Sequence, residues 1–222
     1  MSFHRRAVVT CAVSAAVFSG AGCGVSRPPA PVVAPEAKPT SAAEQPAAPS
    51  RRTADGRLRI GLASLNGEAV REIRLPRGGA ILDGTTGKRL RTAPPGARLK
   101  LVANYPAATV QVKGNSEVWA ERPSVTLQAS STHLGRRRYP GKLHVRLAGT
   151  GLELVNELDI EQYLEGVLPG ELPAGFGIEA QKALAVAARS YALVQQGKHG
   201  EFDLCDQTCC QMYLGDHRGS TR

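Results

Sequence analysis

Aromatic residues are scarce: Phe, Trp and Tyr make up 5% of the 222 residues, with a single Trp. So few rings leave no stacking platform among the basic residues, and nucleic acid is not expected as a partner despite a net charge of +9. Cysteine is equally sparse. Five residues are too few for a disulfide scaffold, so the core must close by apolar burial. Beyond the first thirty residues no apolar run reaches roughly 18, which excludes a multi-span membrane protein.

What is present begins with an address. MSFHRR ends in two arginines, and the AVVTCAVSAAVFSGAG that follows is apolar and small. A basic segment before a short apolar one reads as a secretory signal over residues 1–23, with a cytosolic N-terminal helix as the alternative. Gly20-Ala21-Gly22-Cys23 resembles a bacterial lipobox in which Gly20 stands where Leu is usual. Lipidation of Cys23 makes the chain an exported lipoprotein of the cell envelope, tethered to the membrane through its lipid only, and simple secretion is the alternative. Residues 24–56 are rich in Pro and Ala and contain no aromatic residue, which predicts a disordered, semi-rigid linker.

From Leu58 the texture changes to short alternating runs: RLRIGLA, VREIRLP, ARLKLVA, ATVQVKG, SVTLQAS and KLHVRLAG. Turn signals separate them at Asn66-Gly67, Gly78-Gly79, Pro94-Pro95-Gly96 and Lys113-Gly114-Asn115. Period-two alternation predicts half-buried antiparallel strands over 57–155. Arg136-Arg137-Arg138 reads as a solvated loop or, more sharply, as a patch for phosphate or an anionic polymer.

After residue 156 the period switches. Ile160, Tyr163, Leu164, Val167 and Leu168 make one helical stripe, with Asp159 and Gln162 as a capping box and a stop at Pro169-Gly170. A second helix is predicted from Ile178 to Gly197. Its stretch from Ala183 to Ala188 is apolar all round, so burial on most sides is expected, and Arg189 on such a helix needs a partner or an anionic ligand. The fold class is therefore α+β: an antiparallel β-rich half over 57–155, then a helical catalytic core over 156–222.

The run VNE (155–157), YLEGVLPGELP (163–173), EAQKA (179–183) and AVAARSYA (185–192), with FDL (202–204) and QMYLG (211–215), resembles the stage II sporulation protein D and amidase-enhancer family of bacterial cell-wall proteins. The likeness covers about 57–215 and is tight from Val155 onward. It implies a lytic transglycosylase that cuts peptidoglycan glycan strands, with Glu171 as the catalytic acid. It also places Arg189 at the family's helix arginine and gives Gln211 and Tyr213 parts in binding substrate. Members of the family include enhancers that bind glycan and stimulate a cell-wall amidase, so a non-enzymatic enhancer and an inactive homologue are the rival expectations. The family continues past the Q-x-Y-x-G element, whereas this sequence diverges at Asp216 and ends at Arg222. A C-terminally incomplete domain is expected, its missing part lost or supplied by a partner.

The chemistry follows from one carboxyl group. With Leu172 and two prolines beside it, Glu171 is expected in an apolar surround that lets it hold a proton at neutral pH. It would protonate the glycosidic oxygen. The muramic C6 hydroxyl then attacks within the same molecule, a proximity worth about 7–11 kcal/mol of barrier, and no second carboxylate is needed. Glu171 takes that hydroxyl proton, leaving a 1,6-anhydro end. The alternative role is a carboxylate stabilising the start of the Ile178 helix. For Arg189 the expectations are a fork on substrate oxygens or an ion pair. No cofactor is required by this mechanism. His199, Cys205, Cys209 and Cys210 lie within twelve residues, with His217 beyond. A structural zinc on His199, Cys205 and Cys210, a Cys205–Cys210 disulfide, or free thiols are the options.

Overall fold

The computed structural model describes residues 56–172 and 175–216. The expected signal, the lipidation site Cys23, the linker up to residue 55 and His217 lie outside the described residues.

Ten strands come first: β1 (Arg57–Gly61), β2 (Val70–Leu75), β3 (Gly79–Asp83), β4 (Arg89–Ala93), β5 (Ala97–Asn104), β6 (Thr109–Gly114), β7 (Glu117–Arg122), β8 (Ser124–Leu134), β9 (Arg137–Ala148) and β10 (Gly151–Asp159). Two helices follow, α1 (Ile160–Glu171) and α2 (Ile178–Val194), and then a two-residue strand, β11 (Leu204–Cys205). The sheet order is β11-β1-β10-β9-β8-β2-β5-β6-β7, with β3 branching from β8 and carrying β4. All pairings are antiparallel except β1 with β11. That one parallel pair brings the segment after α2 back to the first strand.

Alternation places the apolar side of each strand inward. Val110 and Val112 of β6, Leu143 and Val145 of β9, and Leu152 and Leu154 of β10 are all buried. The sheet curls so that β6 approaches β9 and β5 approaches β10, and these inward sides meet in one core. Four strands, β3, β4, β7 and β10, go beyond the predicted runs. In β3 and β4 the apolar alternation is short, and they are held by pairing with each other and with β8. β10 continues to Asp159 because Glu157, Leu158 and Asp159 pair with Arg59, Leu58 and Arg57 of β1.

Three further expectations are corrected. Arg137 and Arg138 are not loop residues but open β9, paired with Leu134 and His133 of β8. α1 does not stop at Pro169: the proline removes one N–H, yet the Leu172 N–H still reaches the Leu168 carbonyl at 3.0 Å and closes the last turn. α2 is not buried on most sides. Only Ala188 and Ala192 of it are buried, whereas Val186 is 61% and Val194 77% exposed. An alanine-rich run has little side-chain surface with which to attract neighbours, and α2 is covered mainly from the α1 side.

Across β8, β9 and β10 runs a polar relay that the alternation did not single out. Thr126 Oγ1 lies 2.9 Å from His144 Nδ1, His144 Nε2 lies 2.9 Å from Glu157 Oε2, and Lys142 Nζ donates to Glu157 Oε1 at 2.9 Å. The His144 and Lys142 contacts hold the half-buried Glu157 carboxyl down to about 2, against burial that acts the other way. A depressed carboxyl stabilises the fold fully above its ordinary value of 4.5, and this contribution disappears as pH falls from there through about 2. Glu157→Gln should therefore lower stability by about 2 kcal/mol at pH 7. In urea titrations the gap from the parent chain should close between pH 4.5 and pH 2. A gap that stays constant with pH would contradict this account.

Candidate functional site

The site is built where the 211–215 segment crosses α1. Gly166 and Gly170 stand one helical turn apart and leave a track with no side chain. A Cβ on Gly170 would come within 2.5 Å of the Met212 carbonyl, and one on Gly166 would collide with the Tyr213 ring. Into this track the Leu214 N–H donates to the Gly166 carbonyl at 3.2 Å. The apolar stripe of α1 thus buries Tyr163, Leu164 and Val167 against the core while its glycines seat a second segment.

Tyr213 is fully buried there, its ring centroid 5.4 Å from that of Tyr163 and 6.0 Å from that of Tyr139. Its hydroxyl donates to Asn156 Oδ1 at 2.8 Å, and Asn156 Nδ2 donates to the carbonyls of Pro140 at 2.7 Å and Lys142 at 3.0 Å. The Tyr163 hydroxyl donates to Gln211 Oε1 at 3.0 Å. Desolvation raises the pKa of both phenols, so they remain neutral donors. Gln211 and Tyr213, expected to bind substrate, are in this structure buried fasteners between α1, the sheet and the 211–215 segment.

Glu171 is the last residue of α1, not a residue between helices, and its side chain is exposed rather than set in an apolar surround. The Met212 N–H donates to Glu171 Oε1 at 2.6 Å, which fixes one carboxylate oxygen. Its other oxygen accepts no hydrogen bond among the described residues, so it is open to an incoming group. Arg189 is held elsewhere. Its guanidinium grips Glu161 of α1 through contacts of 3.1, 2.8 and 2.7 Å, the ion-pair alternative, and this pair ties α2 to α1. Asn156 and Gly170 are the residues that the reading of the sequence missed. Their signal was the VNE run and the glycine four residues after Gly166.

The segment between α2 and the site folds around cysteines. Cys205 is bonded to Cys209, not to Cys210 as expected. Cys210 keeps its thiol, with His199 Nε2 3.0 Å from its Sγ and Lys198 Nζ 3.7 Å away. All four candidate ligand atoms, from His199, Cys205, Cys209 and Cys210, lie within 4.8 Å of one another. Burial and then the Lys198 ammonium push His199 below its usual pKa, toward the neutral imidazole that can ligate a metal. Buried carboxylates brace the segment from below. Asp203 accepts from Arg59 N at 2.7 Å and Gly197 N at 2.9 Å, and Asp206 accepts from the Ser64 backbone N–H at 3.1 Å and from its hydroxyl.

Residues 148–222 match the model of the family described as Stage II sporulation protein, SpoIID, so this part of the chain is similar to that family. An uncharacterised protein of Brachyspira hyodysenteriae is 44% identical over 68 residues, which is 29% of this chain and 18% of that protein. The chain therefore matches less than a fifth of that relative's length. No solved structure matches.

If the track at Gly166 and Gly170 seats the 211–215 segment, Gly170→Ala must displace the Met212 backbone. The expected cost is about 1–3 kcal/mol in chemical denaturation. Amide exchange at Met212 and Leu214 should speed up more than in β9. A variant as stable as the parent, with unchanged exchange there, would remove the track from the account.

Proposed function

We propose that the chain is a peptidoglycan lytic transglycosylase in which Glu171 is both acid and base. The observation that carries this reading is a carboxylate on an exposed helix end, one oxygen anchored by a backbone N–H and the other open. Anchoring limits the rotamers of the side chain and so pre-orients it, which favours proton transfer to a substrate oxygen at a set position. A polymer must reach its site from the side, and an open helix end permits that approach. The protonated form donates to the glycosidic oxygen and the resulting carboxylate accepts the C6 hydroxyl proton, closing the anhydro ring. One observation favours a second reading, a glycan-binding enhancer of a cell-wall amidase. The guanidinium of Arg189 is engaged with Glu161, and Gln211 and Tyr213 are buried, so Glu171 lacks these three as substrate partners.

The cysteine cluster supports a structural zinc site. The expected set of His199, Cys205 and Cys210 gains Cys209 as a fourth donor, giving the Cys3His composition of closed structural sites. Zinc–sulfur bonds of about 2.3 Å put tetrahedral ligand atoms roughly 3.8 Å apart, so the pairs now up to 4.8 Å apart would close, whereas the bonded Cys205 and Cys209 sulfurs and the His199–Cys210 pair at 3.0 Å would open. Ligation by three thiolates and the Cys205–Cys209 bond exclude each other, so the two states are alternatives set by redox conditions and metal supply. Zinc would pin the loop that leads into Gln211 and so into the fasteners under α1. The chain is further proposed to be an exported envelope lipoprotein anchored at Cys23.

Incubation with peptide-free glycan strands should yield anhydro-ended fragments by mass spectrometry, and Glu171→Gln should reduce their rate by at least about a hundredfold. Glycan binding without such products, by a folded chain, would favour the enhancer. Unchanged products from the Glu171→Gln protein would remove Glu171 from the mechanism. Protein purified without chelator should carry near-stoichiometric zinc that Cys210→Ser removes. Metal-free protein with Cys205 and Cys209 still oxidised would establish the disulfide instead.

A further inference from the structure

A charged cavity lies on the β-rich half, with no residue of the Glu171 site in its lining. Its volume of about 930 Å³ opens over β2, β5 and β8, lined by Arg74, Arg98, Lys100, Lys113 and His133, with Glu72 the acidic residue among them. The pairing register explains the concentration. His133 of β8 stands opposite Arg138 of β9 and opposite Arg74 of β2, and Arg74 stands opposite Arg98 of β5. Directly opposed residues project from the same face. Four consecutive strands therefore carry one basic row, Arg138-His133-Arg74-Arg98, with neighbouring positions about 4.8 Å apart.

Like charges directly opposite one another destabilise a sheet, so this row opposes folding. The chain relieves it only in part. Arg138 pairs with Asp216 at 2.9 Å, and Lys100 in the adjacent row pairs with Glu72 at 3.3 Å. Arg74 and Arg98, both exposed, make no ion pair among the described residues. Burial together with Arg138 and Arg74 lowers the His133 pKa, a sign of the positive field in the groove.

We propose that this groove binds a linear, phosphodiester-linked polyol, an anionic polymer without bases. Its phosphates carry one charge each and recur within the reach of neighbouring long basic side chains, and guanidinium forks take phosphate oxygens in pairs. A glycan with one carboxylate per repeat spaces its charges too widely to engage successive strands. No Phe, Tyr or Trp lines the groove, so nothing there stacks nucleobases. Val70 and Val102 beside the charged rows offer apolar contact to the carbon segments between phosphates. The site lies on the strands and does not depend on the chemistry of Glu171. In this arrangement the β half holds an anionic envelope polymer while the helical half remains free.

The test is titration of the full chain with fluorescent poly(glycerol phosphate), followed by anisotropy over a range of salt concentrations. Affinity should fall steeply with salt. Arg74→Ser/Arg98→Ser should weaken binding about tenfold or more and flatten the salt slope by about two contacts. Its thermal midpoint should be unchanged or higher, because a repulsive pair is gone. If that variant does not fold, Lys113→Gln at the rim supplies the same readout with a smaller loss. Arg77→Ser/Arg89→Ser removes the same charge outside the groove and should bind like the parent; an equal loss there would overturn the site. So would binding of glycerol 3-phosphate as tight as the polymer, or equal affinity for oligothymidylate of the same phosphate number.

Discussion

The hydrogen bond from the Tyr213 hydroxyl to Asn156 is the interaction on which the helical half depends. It lies in a fully buried place, so an unmet partner on either side would carry the cost of an unsatisfied polar group, about 1–3 kcal/mol. Asn156 in turn satisfies two strand carbonyls, and the Tyr213 ring packs on Tyr163 of α1. Sheet, helix and the 211–215 segment are thus joined through one phenol. The exposed Glu171 inherits its position from this join, because the Met212 N–H that holds it precedes Tyr213 by one residue.

Charge is distributed differently in the two halves. In the helical half Arg189 is matched by Glu161 and Lys182 by Glu179, and the acidic groups beneath the cysteine loop are met by backbone N–H donors. On the strands the register puts cations next to cations, and a surplus is left on one face. A sheet fixes register by its apolar side and its turns, so the polar side accepts whatever neighbours result. The basic row is a product of that constraint, and the polymer proposed to cover it would offset the repulsion.

The cysteine loop connects to the same join. Asp203 and Asp206 secure its base to β1, and its end runs into Gln211, which receives the Tyr163 hydroxyl. Either a disulfide or a bound metal would stiffen this loop, and stiffness there would be passed to the segment that holds Glu171. The difference between the two lies in which thiols are consumed, not in which part of the fold is braced.

Much of this organisation was written in local pattern. Alternation in ATVQVKG and KLHVRLAG marked β6 and β9, and the stripe from Ile160 to Leu168 marked α1, because one face of each must be apolar whatever it packs against. Glu171 stood out through its sequence neighbours, and the four cysteine-loop ligands through their closeness in the chain. Tertiary structure alone decided that Arg189 would meet Glu161 and that Tyr213 and Gln211 would be buried. It alone decided that Cys205 would pair with Cys209, and that Arg74, His133 and Arg138 would fall into one row. Each of those facts sets residues far apart in the chain, or neighbours with competing partners, at a particular distance. Periodicity tells which side of an element turns inward, but only packing and register choose what it finds there.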